Sequence, residues 1–152
     1  MLKWVLAGVV CFGLTGCDGG PLSPSERREL EAARAKWNSA NIHSYTVEQR
    51  VSCFCSPHLN FMTRVTVEAD VVVEAQPVDE LPSGFEPSLL GWVTVDEAFD
   101  QIENLARSTH LHELEVEYDP VLGYPTRVSN TCDPQILDCG STLTLQNLTP
   151  GS

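Results

Sequence analysis

Runs in which apolar and polar residues alternate place the strongest restriction on how this chain folds. A period of two residues is typical of a β-strand with one buried and one solvated face. In residues 45–55, Tyr45, Val47 and Val51 share one face, whereas Glu48 and Arg50 lie on the other. Further runs that predict strands cover residues 61–69, 71–75, 114–119, 124–129 and 142–148.

Two segments carry the start signal of a helix. Ser23 and Thr94 each precede a glutamate by three residues, which is the spacing of a capping box. The apolar residues that follow recur at helical spacing: Leu30, Ala33 and Trp37 in the first segment, and Val95, Ala98, Phe99, Ile102, Leu105 and Ala106 in the second. The order αβββ-αβββ predicts an α+β domain, an antiparallel sheet with two helices on one face.

The first 17 residues have the pattern of an export signal. Lys3 precedes an apolar stretch over residues 4–16, which is shorter than the ~20 residues of a membrane-spanning helix. Residues 14–17 (LTGC) resemble the bacterial lipobox, in which cleavage between Gly16 and Cys17 leaves a lipidated cysteine. We therefore expect a lipoprotein signal peptide at residues 1–16, a lipidated tether at 17–23 and a single α+β domain at 24–152. The alternative is an ordinary secretory signal with a chance cysteine.

The predicted lipidation and the charge of the chain together limit which partners it can have. Diacylglycerol and an N-acyl chain on Cys17 would anchor the protein to a bacterial membrane, with its domain in the periplasm or on the cell surface. No other cofactor is expected. The net charge of −12 gives no electrostatic basis for nucleic-acid binding or for a polybasic membrane patch. We expect the membrane, through the lipid, and an envelope protein as partners.

Cleavage and lipidation leave four cysteines: Cys53, Cys55, Cys132 and Cys139. An even number of cysteines in an exported domain predicts disulfide bonds. We favour Cys132–Cys139, because this bond closes a short polar loop and would stabilise the fold by about 2.5 kcal/mol. In an ideal strand Cys53 and Cys55 would lie about 6.6 Å apart, so a bond between them requires a bulge at Phe54. Crossed pairing, in which Cys53 and Cys55 each bond one of Cys132 and Cys139, stays open. A thiol-redox or soft-metal site at Cys53-x-Cys55 also stays open.

Other candidate sites have simple structural explanations. His110 and His112 share a strand face and would form half of a metal site with His43 or His58, although they also fit the polar start of a strand. The acidic residues of 113–119 lack the loop spacing of a Ca²⁺ site and fit a solvated sheet face. No catalytic motif occurs, so we expect no enzyme.

Several motifs together resemble one known family: Tyr45, Ser52–Cys55, Arg64–Val67, Thr94–Glu103 and Val116–Val128. The chain resembles, over about Trp37–Leu148, a family of small bacterial envelope proteins, often lipoproteins, known only as domain of unknown function 6174. The resemblance implies no activity. It favours a Cys53–Cys55 bond beside a local Cys132–Cys139 bond, because the second cysteine pair arrives together in one loop.

These observations lead to one functional hypothesis and one alternative. The first is a non-catalytic binding or structural module of the envelope, stapled by disulfides. Its long loop over residues 76–92 would contact another envelope component through Phe85, Leu89, Leu90 and Trp92. The alternative is a redox or soft-metal protein that uses Cys53 and Cys55.

Overall fold

The computed structural model describes residues 20–132 and 140–151. The predicted signal at residues 1–16, Cys17 and Cys139 lie outside these ranges. The described residues form two α-helices and six strands: α1 Pro24–Ala40, β1 Tyr45–Ser52, β2 Thr63–Glu68, β3 Val71–Pro77, α2 Val95–Ala106, β4 Leu111–Tyr118, β5 Pro125–Cys132 and β6 Ser141–Pro150. A short 3₁₀ helix, Pro57–Asn60, lies between β1 and β2. No helix of the described ranges is long and apolar enough to cross a membrane.

The six strands form one antiparallel sheet in the order β3-β2-β1-β6-β5-β4. The predicted α+β class, with an antiparallel sheet and two helices, is therefore confirmed. The last strand lies beside the first at the centre of the sheet, and β3 and β4 form its edges. A bulge interrupts the pairing of β1 with β6, and Asn147 adopts a left-handed conformation there, with φ of 54°.

Both helices begin at the predicted capping boxes. The hydroxyl oxygen of Ser23 accepts a hydrogen bond from the amide of Glu26, and the Glu26 carboxylate accepts one from the amide of Ser23. Thr94 and Glu97 make the same two bonds at the start of α2. These bonds satisfy amides that lack a partner within the helix, so each start position follows from local sequence.

One hydrophobic core joins the helices to the sheet. Its fully buried side chains include Phe99, Ile102, Val47, Val65, Val67 and Leu145. Tyr45 at the start of β1 contacts both helices: its ring packs edge-on against Trp37, and its hydroxyl oxygen accepts the amide hydrogen of Val95. Leu22 is only 4% exposed and belongs to the same core, so tight packing begins before residue 24.

Candidate functional site

The Cys53-x-Cys55 motif forms a disulfide bond at the end of β1. The strand ends at Ser52 rather than at Cys55, so both cysteines lie in the bend that follows it. Their Cα atoms are 5.2 Å apart, closer than in an extended strand. The bend, instead of the bulge expected within a strand, allows the bond, and crossed pairing is excluded for these two cysteines.

The second predicted disulfide lies partly outside the described residues. Cys132, the last residue of β5, is disulfide-bonded. Cys139, its expected partner, is among the residues that the structure does not describe. The Cys132–Cys139 bond therefore stays a prediction.

Phe54, between the two bonded cysteines, points into solvent. Its exposed fraction is 88%, the highest among the exposed large apolar residues. The disulfide closes a three-residue loop around it, and the amide of Cys53 donates to Oδ1 of Asn60 over 3.3 Å. These two restraints hold the backbone that presents the phenyl ring.

The loop between β3 and α2 packs against the segment that contains this bend. Nε2 of His58 donates to the carbonyl oxygen of Leu90 over 2.9 Å, and the amide of Val78 donates to the carbonyl oxygen of Met62 over 2.8 Å. The rings of Phe61 and Phe85 also meet edge-on, with their centroids 5.7 Å apart. The bend and the loop are thus held together at one end of the domain.

The four apolar residues expected to form a contact surface in this loop separate into two groups. Trp92 is only 6% exposed, packs against His58 and donates from Nε1 to the carbonyl oxygen of Ser88. It belongs to the core and is not a surface residue. Leu90 is 78% exposed, Leu89 51% and Phe85 37%.

We call Phe54, Phe85, Leu89 and Leu90 the Phe54–Leu90 surface. Acidic residues accompany it in the loop: Asp79, Glu80 and Glu86 are all exposed. The sequence contains no lysine or arginine between Arg64 and Arg107. The loop that carries three of the four apolar residues is therefore acidic.

The four histidines considered as metal ligands do not come together. Nδ1 of His43 pairs with the carboxylate of Asp70 at 2.9 Å, whereas His58 binds the loop carbonyl described above. His110 and His112 are exposed at the start of β4. Across residues 20–132 and 140–151, no group of three or more His, Cys, Asp or Glu side chains is arranged to hold a metal ion.

The acidic run of β4 has a structural explanation in part. Glu113, Glu115 and Glu117 are exposed on this edge strand, where charged side chains oppose pairing with a further strand. Oδ1 of Asp119 accepts hydrogen bonds from the amides of Val121 and Leu122, at 2.9 and 2.6 Å, and so shapes the β4–β5 turn.

The sequence analysis did not predict that the carboxylate of Glu48 is buried. Glu48 is only 8% exposed and accepts hydrogen bonds from Asn147, Gln146 and Arg64, at 2.8, 3.2 and 3.0 Å. Hydrogen bonds from Asn147, Gln146 and Arg64 hold the pKa of Glu48 below its usual value. Strand periodicity assigns this residue to solvent, and no local signal reveals that β6 supplies two of its donors.

Comparison with known proteins identifies the family of the chain but no characterised relative. No curated protein and no solved structure matches it significantly. Residues 29–150 match the family model described as Family of unknown function (DUF6174), and the chain therefore belongs to that family.

Proposed function

We propose that this protein is a non-catalytic, lipid-anchored module of the bacterial cell envelope that binds another envelope protein through the Phe54–Leu90 surface. The observation that carries this proposal is the 88% exposure of Phe54 inside a disulfide-closed loop. A large apolar side chain held in solvent gains free energy when a partner covers it, about 1.5–3 kcal/mol for full burial of a phenyl group.

The disulfide makes Phe54 a suitable anchor for binding. Ordering a mobile loop at an interface reduces affinity, and a bond that restrains the loop beforehand removes part of this cost. Leu90 is held by the hydrogen bond from His58 to its carbonyl oxygen. Aromatic and aliphatic anchors on restrained backbone are typical of the few residues that dominate binding energy.

The charge around the surface favours a particular class of partner. Asp79, Glu80 and Glu86 would meet basic residues on the partner, because opposite potentials across an interface support specificity and association. The same carboxylates would be repelled by anionic lipid headgroups. We therefore propose a protein with an apolar pocket and a basic rim.

Anchoring and the position of the helices complete this proposal. Lipid on Cys17 would hold the domain at the membrane without a charged patch. Both helices would cover one face of the sheet, a placement supported by the contacts of Tyr45 with Trp37 and Val95. The end of the domain that carries Phe54 would then stay free for a partner.

Site-specific crosslinking in cells tests the contact surface. A photoreactive residue at Phe54 or at Leu90 should crosslink to the same protein, whereas the same residue at Val121 should not. Val121 is a matched control because it is apolar and 76% exposed but lies in the β4–β5 turn.

A second measurement links the crosslink to affinity. Phe54→Ser should weaken copurification of the crosslinked protein by more than about tenfold, since burial of a phenyl group contributes 1.5–3 kcal/mol. Val121→Ser should leave it unchanged. Crosslinks to phospholipid alone, or equal crosslinking from Val121, would contradict the proposal.

Mass spectrometry tests the anchor. The protein expressed in a bacterium with its own signal should lose residues 1–16 and gain the mass of acyl chains on Cys17. An intact or unlipidated N-terminus would contradict the proposed location, whatever the result at Phe54.

Accessibility of the Cys53–Cys55 bond supports a thiol-redox protein as the second candidate. Cys55 is exposed, and attack by a thiolate requires access to a sulfur atom. Equilibration with defined glutathione mixtures, followed by alkylation, distinguishes the two functions. A structural bond should stay oxidised at the glutathione potential of the cytosol, whereas a redox-active pair should be partly reduced there.

A further inference from the structure

A groove between α1 and α2 collects arginine side chains in an otherwise acidic protein. The helices lie side by side in opposite directions, since Trp37 is next to Asp96 whereas Arg34 pairs with Asp100 and Glu103. Between them is a cavity of about 390 Å³. Its charged lining consists of Arg27, Arg34, Arg107, Glu31 and Glu103.

Two of the three arginines have no ionic partner among residues 20–132 and 140–151. The guanidinium of Arg34 is neutralised by Asp100 and Glu103. Arg27 forms no ion pair in the described part of the chain, and its buried Nε lacks a hydrogen-bond acceptor there. The guanidinium of Arg107 donates to the neutral Oδ1 of Asn104 and forms no ion pair with a described residue. A buried donor without an acceptor is unfavourable, so an anion in the groove would satisfy it.

Gly20, the first described residue of the chain, lies close to this groove. Gly20 lies against the end of α2, where a Cβ atom would collide with the carbonyl oxygen of Ala106 and would be 2.6 Å from Nη2 of Arg27. Cys17 precedes Gly20 by three residues, and an extended chain spans at most about 3.6 Å per residue. A lipid on Cys17 would thus begin within roughly 11 Å of Gly20.

We propose that this groove binds the phosphate of an anionic phospholipid headgroup in the membrane that holds the anchor. The inference rests on the proposed lipidation of Cys17 for its biological setting. Arg27 and Arg107 would bind phosphate oxygens, because guanidinium groups match phosphate geometry and tolerate partial burial. The sequence analysis excluded a polybasic patch on net charge, but the helix pairing brings three arginines to one groove, where Glu31 and Glu103 offset part of their charge.

Vesicle cosedimentation tests the site without the lipid anchor. The protein is the chain from residue 17 with Cys17→Ser, which contains every residue of the described fold. It should bind vesicles of phosphatidylcholine with 30% phosphatidylglycerol and should not bind pure phosphatidylcholine. Arg27→Gln together with Arg107→Gln should reduce binding about 30-fold, since each basic residue near an anionic surface contributes roughly a fivefold effect.

A charge-matched variant controls for net charge. Arg50→Gln together with Arg127→Gln removes two exposed arginines of the sheet and should leave binding unchanged. Equal loss in both variants, or absence of binding by the parent protein, overturns the proposal.

Titration with inorganic phosphate, followed through the Arg27 Nε–H resonance, separates the two phosphate sources. A response to phosphate without a preference for phosphatidylglycerol would assign the groove to a free anion and overturn the lipid assignment. Because this protein carries no lipid, failure here is independent of the mass-spectrometry test at Cys17.

Discussion

The hydroxyl oxygen of Tyr45 accepts a hydrogen bond from the backbone amide of Val95 over 2.8 Å. Val95 is the first residue of α2 and Tyr45 the first of β1, so the bond ties the start of the helix to the central region of the sheet. Both groups are buried, and burial raises the pKa of the Tyr45 hydroxyl. The hydroxyl thus stays protonated and satisfies an amide that the helix leaves without a partner.

Removal of this hydroxyl should destabilise the protein. We expect Tyr45→Phe to lower the free energy of unfolding by about 1–3 kcal/mol, because the buried amide of Val95 would lose its acceptor. Urea denaturation measures the change. Tyr118→Phe is the matched control, since the described residues provide no hydrogen bond to the Tyr118 hydroxyl; a loss as large as that of Tyr45→Phe would contradict the argument.

The carboxylate of Glu48 should make stability depend on pH. Its hydrogen bonds hold its pKa below the usual value for a glutamate, so the ionised form stabilises the folded state at pH values above that usual value. This contribution is lost as the pH falls through the pKa of the folded state. Glu48→Gln should cost about 1.5–3 kcal/mol at pH 7, as expected for a hydrogen-bonded charge.

The parent protein and Glu48→Gln should become similar in their free energy of unfolding in acid. Urea denaturation at several pH values should show the difference between the parent protein and Glu48→Gln shrinking below pH 4.5. Glu115→Gln, at an exposed position of β4, should change stability little at any pH. A difference for Glu48→Gln that persists unchanged in acid would rule out ionisation as its cause.

The Cys53–Cys55 bond should contribute modestly to stability. Closure of a three-residue loop restricts the unfolded chain by about 1.6 kcal/mol on the loop-entropy relation. We expect Cys53→Ser together with Cys55→Ser to lower the free energy of unfolding by about this amount, measured in urea. The double variant is preferable to a reductant because Cys132 is also disulfide-bonded. A loss of more than about twice this value would indicate that the bond also maintains packing.

Two glycines with positive φ allow the cost of backbone strain to be measured separately from the cost of a steric collision. Gly123 has a φ of 83°, and a Cβ atom there would lie 2.5 Å from the carbonyl oxygen of Ala33. Gly84 has a φ of 96°, but a Cβ atom there would meet nothing within 4 Å. Gly84→Ala should cost about 1–2 kcal/mol from the backbone alone. Gly123→Ala should cost about 1–3 kcal/mol more, because α1 must move away from the turn. Thermal denaturation tests the order, and equal losses would contradict it.

Local sequence was sufficient to predict the helices and strands, but it did not predict where β1 ends. Each helix start follows from a capping box, whose hydrogen bonds involve residues only three positions apart. Strand periodicity located β1, although the bend formed by Cys53 and Cys55 ends that strand at Ser52. The family match agrees with the resemblance seen in the motifs.

The candidate sites depended more strongly on tertiary structure. The loop hypothesis included Trp92 with Leu89 and Leu90, and only packing decided that the indole is buried while the leucines are exposed. All three side chains are apolar and adjacent in sequence, so their composition does not distinguish them. The exposure of Phe54 likewise became clear only from the structure.

By itself, the sequence determined the two helices, the alternating strands and the α+β class, because periodicity and capping are local patterns. Tertiary structure alone decided that β1 pairs with β6, that Asn147 and Gln146 donate hydrogen bonds to Glu48, and that Arg27 and Arg107 line one groove between the helices. These arrangements join residues about 80–100 positions apart, and such contacts depend on the packing energy of the whole core rather than on any local signal.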